Sequence, residues 1–102
     1  MMNAVKEMIG KYVIVRAAEA GVFAGILTEK EGDEVVLTDC RRIWYWEGAN
    51  SVSQLAVDGT LKPNSCKFTV PVNSITILRV AEIVPCTDKA EASIRSVKEW
   101  RL

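Results

Sequence analysis

Along most of this chain, apolar and polar residues alternate over short stretches, and turn residues separate the stretches. That period of two predicts β-strands. Lys11 to Arg16 is rich in β-branched and aromatic residues and predicts a first strand. Val22 to Glu29 predicts a second, with Gly25 marking a bend or bulge. The charged turn Lys30-Glu31-Gly32-Asp33 leads to a third strand, Glu34 to Thr38. A kink at Asp39-Cys40 precedes a further extended run, Arg41 to Trp46.

The pattern then changes. Ser51-Val52-Ser53-Gln54 has the spacing of a helix capping box, and Gly59 is placed to end that helix after about two turns. Thr60 to Lys67 predicts a loop around Pro63. Phe68 to Val72 predicts a short extended piece, with Pro71 at an edge or strand end, and Asn73-Ser74 predicts a turn. Ile75 to Val84 predicts one long apolar strand, stopped by Pro85. Thr87 or Asp88 caps a last helix to about Ser96, with Ala90, Ile94 and Val97 on one stripe. Residues 3 to 9 form a short amphipathic turn, and Trp100 docks the tail.

Many short strands, frequent turns and few helices predict a mainly β fold: a small SH3-like or Sm-like barrel with a short inserted helix and a C-terminal helix. A chain of 102 residues predicts one domain, 1–102.

Composition removes several functions. Thirteen basic and thirteen acidic residues give a formal net charge of zero, which argues against extended nucleic acid and anionic membranes as partners. No apolar run is long enough to span a bilayer, and the start lacks the pattern of a secretory signal. Cys40, Cys66 and Cys86 are odd in number and widely spaced, which points to free thiols in a reducing cytoplasm. The chain has no histidine, no metal-ligand spacing and no phosphate-cradling glycine loop. The expectation is therefore a protein with no metal and no cofactor that is not an enzyme.

The candidate chemistry is concentrated in Arg41-Arg42-Ile43-Trp44-Tyr45-Trp46, which holds three of the chain's seven aromatics. Alternation puts Arg42, Trp44 and Trp46 on one face and Arg41, Ile43 and Tyr45 on the other. Arginine donors suit phosphate, and flat aromatic faces suit stacked bases. The helix start after this run adds backbone N–H groups, with Ser51 and Ser53 as hydrogen-bonding side chains. The candidate ligand-binding residues are Arg41, Arg42, Trp44, Tyr45, Trp46, Ser51 and Ser53. The competing reading makes the tryptophans core or subunit-contact residues and pairs the arginines internally. Lys62 and Lys67 flank the proline loop, where either is solvated or reaches a phosphate.

The same residues carry a resemblance. Gly10 to Arg16, Glu34 to Asp39, Arg41 to Trp46, Ser53 to Ala56, Cys66 to Phe68 and Glu82 to Thr87 resemble a family of roughly 100-residue proteins of bacteriophages and prophages, known only as a domain of unknown function. The resemblance implies a phage setting and supplies no catalytic residues. In that setting the expectation is a homo-oligomer that sequesters a nucleotide-type host immune signal, a cyclic nucleotide or an ADP-ribose-like molecule. The oligomer is expected from the apolar strand and the tryptophan strand. The alternative is an interaction module that docks a host or virion protein through the tryptophan strand.

Overall fold

The computed structural model describes residues 3–102; Met1 and Met2, part of the expected domain, lie outside the described residues. The elements are α1 (Asn3–Met8), β1 (Tyr12–Ala17), β2 (Gly21–Glu31), β3 (Glu34–Tyr45), α2 (Val52–Asp58), β4 (Lys67–Phe68), β5 (Val72–Ile77), β6 (Val80–Pro85) and α3 (Asp88–Ser96). A 3-10 turn, Pro63–Ser65, precedes β4.

The fold is mainly β. Its six strands form one antiparallel sheet in the order β4-β3-β2-β1-β6, and β5 also pairs with β3. The first three strands form a meander, and β6 returns to the far side of β1. The sheet is strongly bent but does not close: β5 and β6 do not pair. Two irregularities supply the bend. The β2–β3 register shifts between Ala24 and Ile26, at Gly25, and again between Leu27 and Glu29. A Cβ on Gly25 would lie 3.0 Å from the Cys40 Cα and the Thr38 carbonyl oxygen, so glycine is needed where the strands approach. Asp39 adopts φ 49°, the kink expected in the middle of β3.

Bending gives the sheet two buried faces. On the inner face Val13, Val15, Phe23, Leu27, Val35, Leu37, Cys40 and Ile77 pack together. On the outer face Tyr12, Ile14, Ala24, Ile43 and Phe68 meet Leu55 and Ala56 of α2 and Ile94 of α3. β1 alternates between the two cores, which is why it reads as a continuous apolar strand.

The helices start as their caps dictate. The Ser51 hydroxyl accepts from the Gln54 N–H at 3.2 Å, and the Asn50 N–H donates to the Gln54 side chain at 2.8 Å. The return bond thus comes from the residue before the cap rather than from the cap itself. Gly59 ends α2 with φ 75°. Thr87 caps α3, and its hydroxyl also donates to the Val57 carbonyl at 2.6 Å, which ties the two helices together.

Two expectations are corrected. Asn73-Ser74 is not a turn; both residues lie within β5. Ile75 to Val84 is not one strand, because Leu78-Arg79 breaks it, with Arg79 at φ 59°, and the chain passes there from pairing with β3 to pairing with β1. Ile75, Val80 and Ile83 pack against the inner core. The apolar run expected to demand a subunit partner is largely used inside the protomer.

Candidate functional site

β3 carries the Arg41–Trp46 run as far as Tyr45. The structure divides the seven candidate residues into three environments.

Arg41 points into the outer core and is 4% exposed. Its guanidinium donates to three carbonyls, those of Thr69 at 2.9 Å, Ile94 at 2.8 Å and Phe68 at 3.2 Å. It also sits over the Phe68 ring at 5.6 Å. Burial lowers its pKa from the ordinary arginine value, while Tyr12 and Glu99 act in the opposite sense. Arg41 therefore fastens β3 to α3 and to the segment after β4. This places it inside the fold, not on a surface where it would meet a phosphate.

Arg42 turns to the other side of β3. Its guanidinium stacks on Phe23 at 4.6 Å and donates to the Ala20 carbonyl at 2.8 Å. It closes one end of the inner core and is only partly exposed. Trp46 lies beyond the end of the strand, packs against the outer core, and donates to the Ala49 carbonyl at 3.2 Å. It does not share a face with Arg42 and Trp44, because alternation ends where the strand ends.

Trp44 remains at the surface, with 58% of its area exposed. It meets Trp100, the tail residue expected to dock. Their ring centroids are 4.9 Å apart and their planes are inclined by 33°. The Lys67 ammonium stands 5.4 Å from the Trp44 ring and 5.5 Å from the Trp100 ring. The tail is fixed by its backbone: Trp100 N–H donates to the Phe68 carbonyl at 2.9 Å, beside a parallel bridge between Phe68 and Glu99. Phe68 is itself paired with Ile43. Buried Phe68 thus sets the position of Trp100 relative to Trp44.

Trp100 also lines a shallow hollow of about 290 Å³ with Pro63, Asn64, Cys66, Lys98, Glu99 and Arg101. Arg101 is paired with Glu99 at 2.6 Å. Tyr45 is exposed at the end of β3 and donates its hydroxyl to Glu47 at 2.8 Å, a bond that raises its pKa. Ser51 spends its hydroxyl on the α2 cap and on Asn50, and Ser53 is exposed on α2.

The surface therefore combines Trp44, Trp100 and Lys67, with Lys98 and Arg101 beside them. The sequence reading missed Trp100, Lys98 and Arg101 as site residues, and it weighed Lys67 as either solvated or able to reach a phosphate. Among the described residues no group of three His, Cys, Asp or Glu side chains converges as a metal site would require. Among the described residues no helix is long and apolar enough to cross a membrane.

No curated protein and no solved structure matches the chain. The family model described as Domain of unknown function (DUF6948) matches residues 10–94, and the chain belongs to that family. The match takes in Trp44 and Lys67 and stops short of Trp100.

Proposed function

We propose that the chain is a non-enzymatic binding protein that holds a nucleotide-type ligand on the Trp44–Trp100 surface. The observation that carries this reading is an exposed tryptophan pair with a lysine ammonium within 5.5 Å of both rings. Two large π-faces left in solvent suit a flat, sequence-independent stacking partner. Lys67 beside the rings and Lys98 in the adjoining hollow suit a phosphate or pyrophosphate on that partner, while Arg101 is held by Glu99. The site thus differs from the one first expected: the aromatic component stays on β3, and the cationic component moves from Arg41 and Arg42 to Lys67 and the tail.

In the phage setting that the sequence resemblance implies, such binding would sequester a host signal in the cytoplasm without cleaving it. The test is a calorimetric screen with cyclic dinucleotides, ADP-ribose derivatives and mononucleotides. Saturable binding of one class supports the proposal, and no heat from any of them sinks it.

A second reading is a docking module for a host or virion protein. It is favoured by the exposure of the tryptophan pair, where Trp44 and Trp100 are each more than 40% exposed. One stoichiometric protein partner recovered from infected cells, with no nucleotide bound, would favour it.

A further inference from the structure

The open sheet has two outer edges, and they are built differently. We infer that β5 is a homodimer interface: two copies of this chain pair their β5 strands antiparallel across a two-fold axis and join their sheets.

A strand edge exposes a row of backbone N–H and C=O groups that match any other free edge. Natural proteins blunt such edges with charge, proline, bulges or a covering segment. β6 shows these guards. The Val80 N–H donates to the Asp33 carbonyl at 2.8 Å, so the β2–β3 turn covers the start of its outer edge. Glu82 puts a charge in the middle, held by Arg16 at 2.9 Å, and Pro85 ends the strand.

β5 has none of them within the strand, and Pro71 only precedes its first residue. Its sequence, Val72-Asn73-Ser74-Ile75-Thr76-Ile77, contains no charge, no proline and no glycine. One edge pairs with β3 in regular register from Val35↔Ile77 to Cys40↔Val72. Among the described residues no strand takes the other edge, and no backbone hydrogen bond from β5 reaches another element there. The residues facing solvent are short and polar or β-branched, the composition of a paired strand.

The occupant follows from the chemistry. The complement of an uncharged edge is another uncharged edge, and β5 carries nothing that repels a copy of itself. The outer edge of β6 is covered at its start by Asp33 and ended by Pro85, so pairing of β5 with β6, which would build rings or fibres, is disfavoured relative to a closed dimer. Register supports the same pairing. Two strands joined by a two-fold axis at Ile75 place Ser74 opposite Thr76. They also place Val72 opposite Leu78 at both ends. Val72 and Leu78 are 41% and 55% exposed, so the pairing covers two apolar side chains per copy that the protomer leaves in water.

The test is light scattering on the full chain at micromolar concentration, with lysine and glutamate pairs placed on the exposed face of β5. Wild type is expected at twice the 11.3 kDa chain mass. S74K/T76K and S74E/T76E each set like charges opposite one another. Each is expected to weaken the dimer by about a hundredfold or more and to keep the wild-type circular dichroism spectrum. Mixing the two variants restores the dimer as a heterodimer, which a merely misfolded variant would not do. A monomeric wild type, a larger ring, or variants that remain dimers would each overturn the inference.

Discussion

Trp100 stacks against Trp44 with ring centroids 4.9 Å apart, although one lies in the tail and the other on the central strand. Their meeting depends on Phe68, which pairs with Ile43 on one side and accepts the Trp100 N–H on the other. The exposed surface is thus built on a fully buried residue. Truncating Trp44 should remove a surface contact and leave the frame intact. Trp44→Ala is expected to lower stability by about 1 kcal/mol or less, the scale of an exposed aromatic pair. Urea unfolding followed by far-UV circular dichroism measures this; a loss several times larger would show that the pair belongs to the core.

Arg41 should behave in the opposite way. Its removal takes a donor from three carbonyls; Phe68 keeps the Trp100 N–H and Ile94 the Val97 N–H, so the Thr69 carbonyl alone is left without one. Arg41→Met is expected to cost about 1–3 kcal/mol, the scale of one buried group left unsatisfied. Arg41→Lys should recover only part, because an ammonium cannot reproduce the planar fork. Equal stability of Arg41→Met and wild type by urea titration would refute the structural role.

Much of this organisation was legible in the residues. Ser51 read as a cap, Thr87 or Asp88 as another, Gly59 as a stop, Gly25 as a bend or bulge, and Ala90, Ile94 and Val97 as one stripe, because each is a local signal. Three features were not legible. Arg79 breaks the strand at positive φ without glycine or asparagine to announce it, so β5 and β6 read as one strand. Arg41 is satisfied by carbonyls distant in sequence, which alternation along β3 cannot reveal. Trp100 reaches Trp44 through pairing with Phe68, a long-range contact that follows from no periodicity.

Gly48 gives a sharp backbone test. It has φ 84°, and a Cβ there would lie 2.4 Å from the Lys62 N and 2.6 Å from the Leu61 N. Both steric and conformational terms oppose a side chain. Gly48→Ala is expected to cost well over about 1 kcal/mol. That corresponds to a fall in Tm of about 4–8 °C or more for a domain of this size. An unchanged Tm would contradict the close approach of the loop after β3 to residues 60–62.

Buried thiols set the alkaline behaviour. Burial pushes Cys40 from the ordinary 9.0 up to about 12, with Arg42 opposing the rise. A raised thiol pKa means that the folded state holds a proton that the unfolded chain releases. Its contribution is intact below pH 9 and is lost as pH rises toward 12, at about 1.4 kcal/mol per pH unit while that one group differs. Stability is therefore expected to be level from pH 7 to 8.5 and to fall above it, less steeply in Cys40→Ala. Urea titrations across this range check the slope; identical profiles for the two proteins would exclude Cys40 as a source.

The central claim is that Trp44 and Trp100, rather than Arg41 and Arg42, receive the ligand. Its most direct measurement is a titration of intrinsic tryptophan fluorescence with the nucleotide selected by calorimetry, on wild type, Trp44→Ala and Arg42→Ala. Wild type should quench saturably. Trp44→Ala should bind about 5- to 150-fold more weakly, the equivalent of one lost stacking contact of about 1–3 kcal/mol. Arg42→Ala, whose guanidinium is held on Phe23 and Ala20, should keep affinity within about threefold, less than 1 kcal/mol. Wild-type affinity in Trp44→Ala, or its loss in Arg42→Ala alone, would contradict the account.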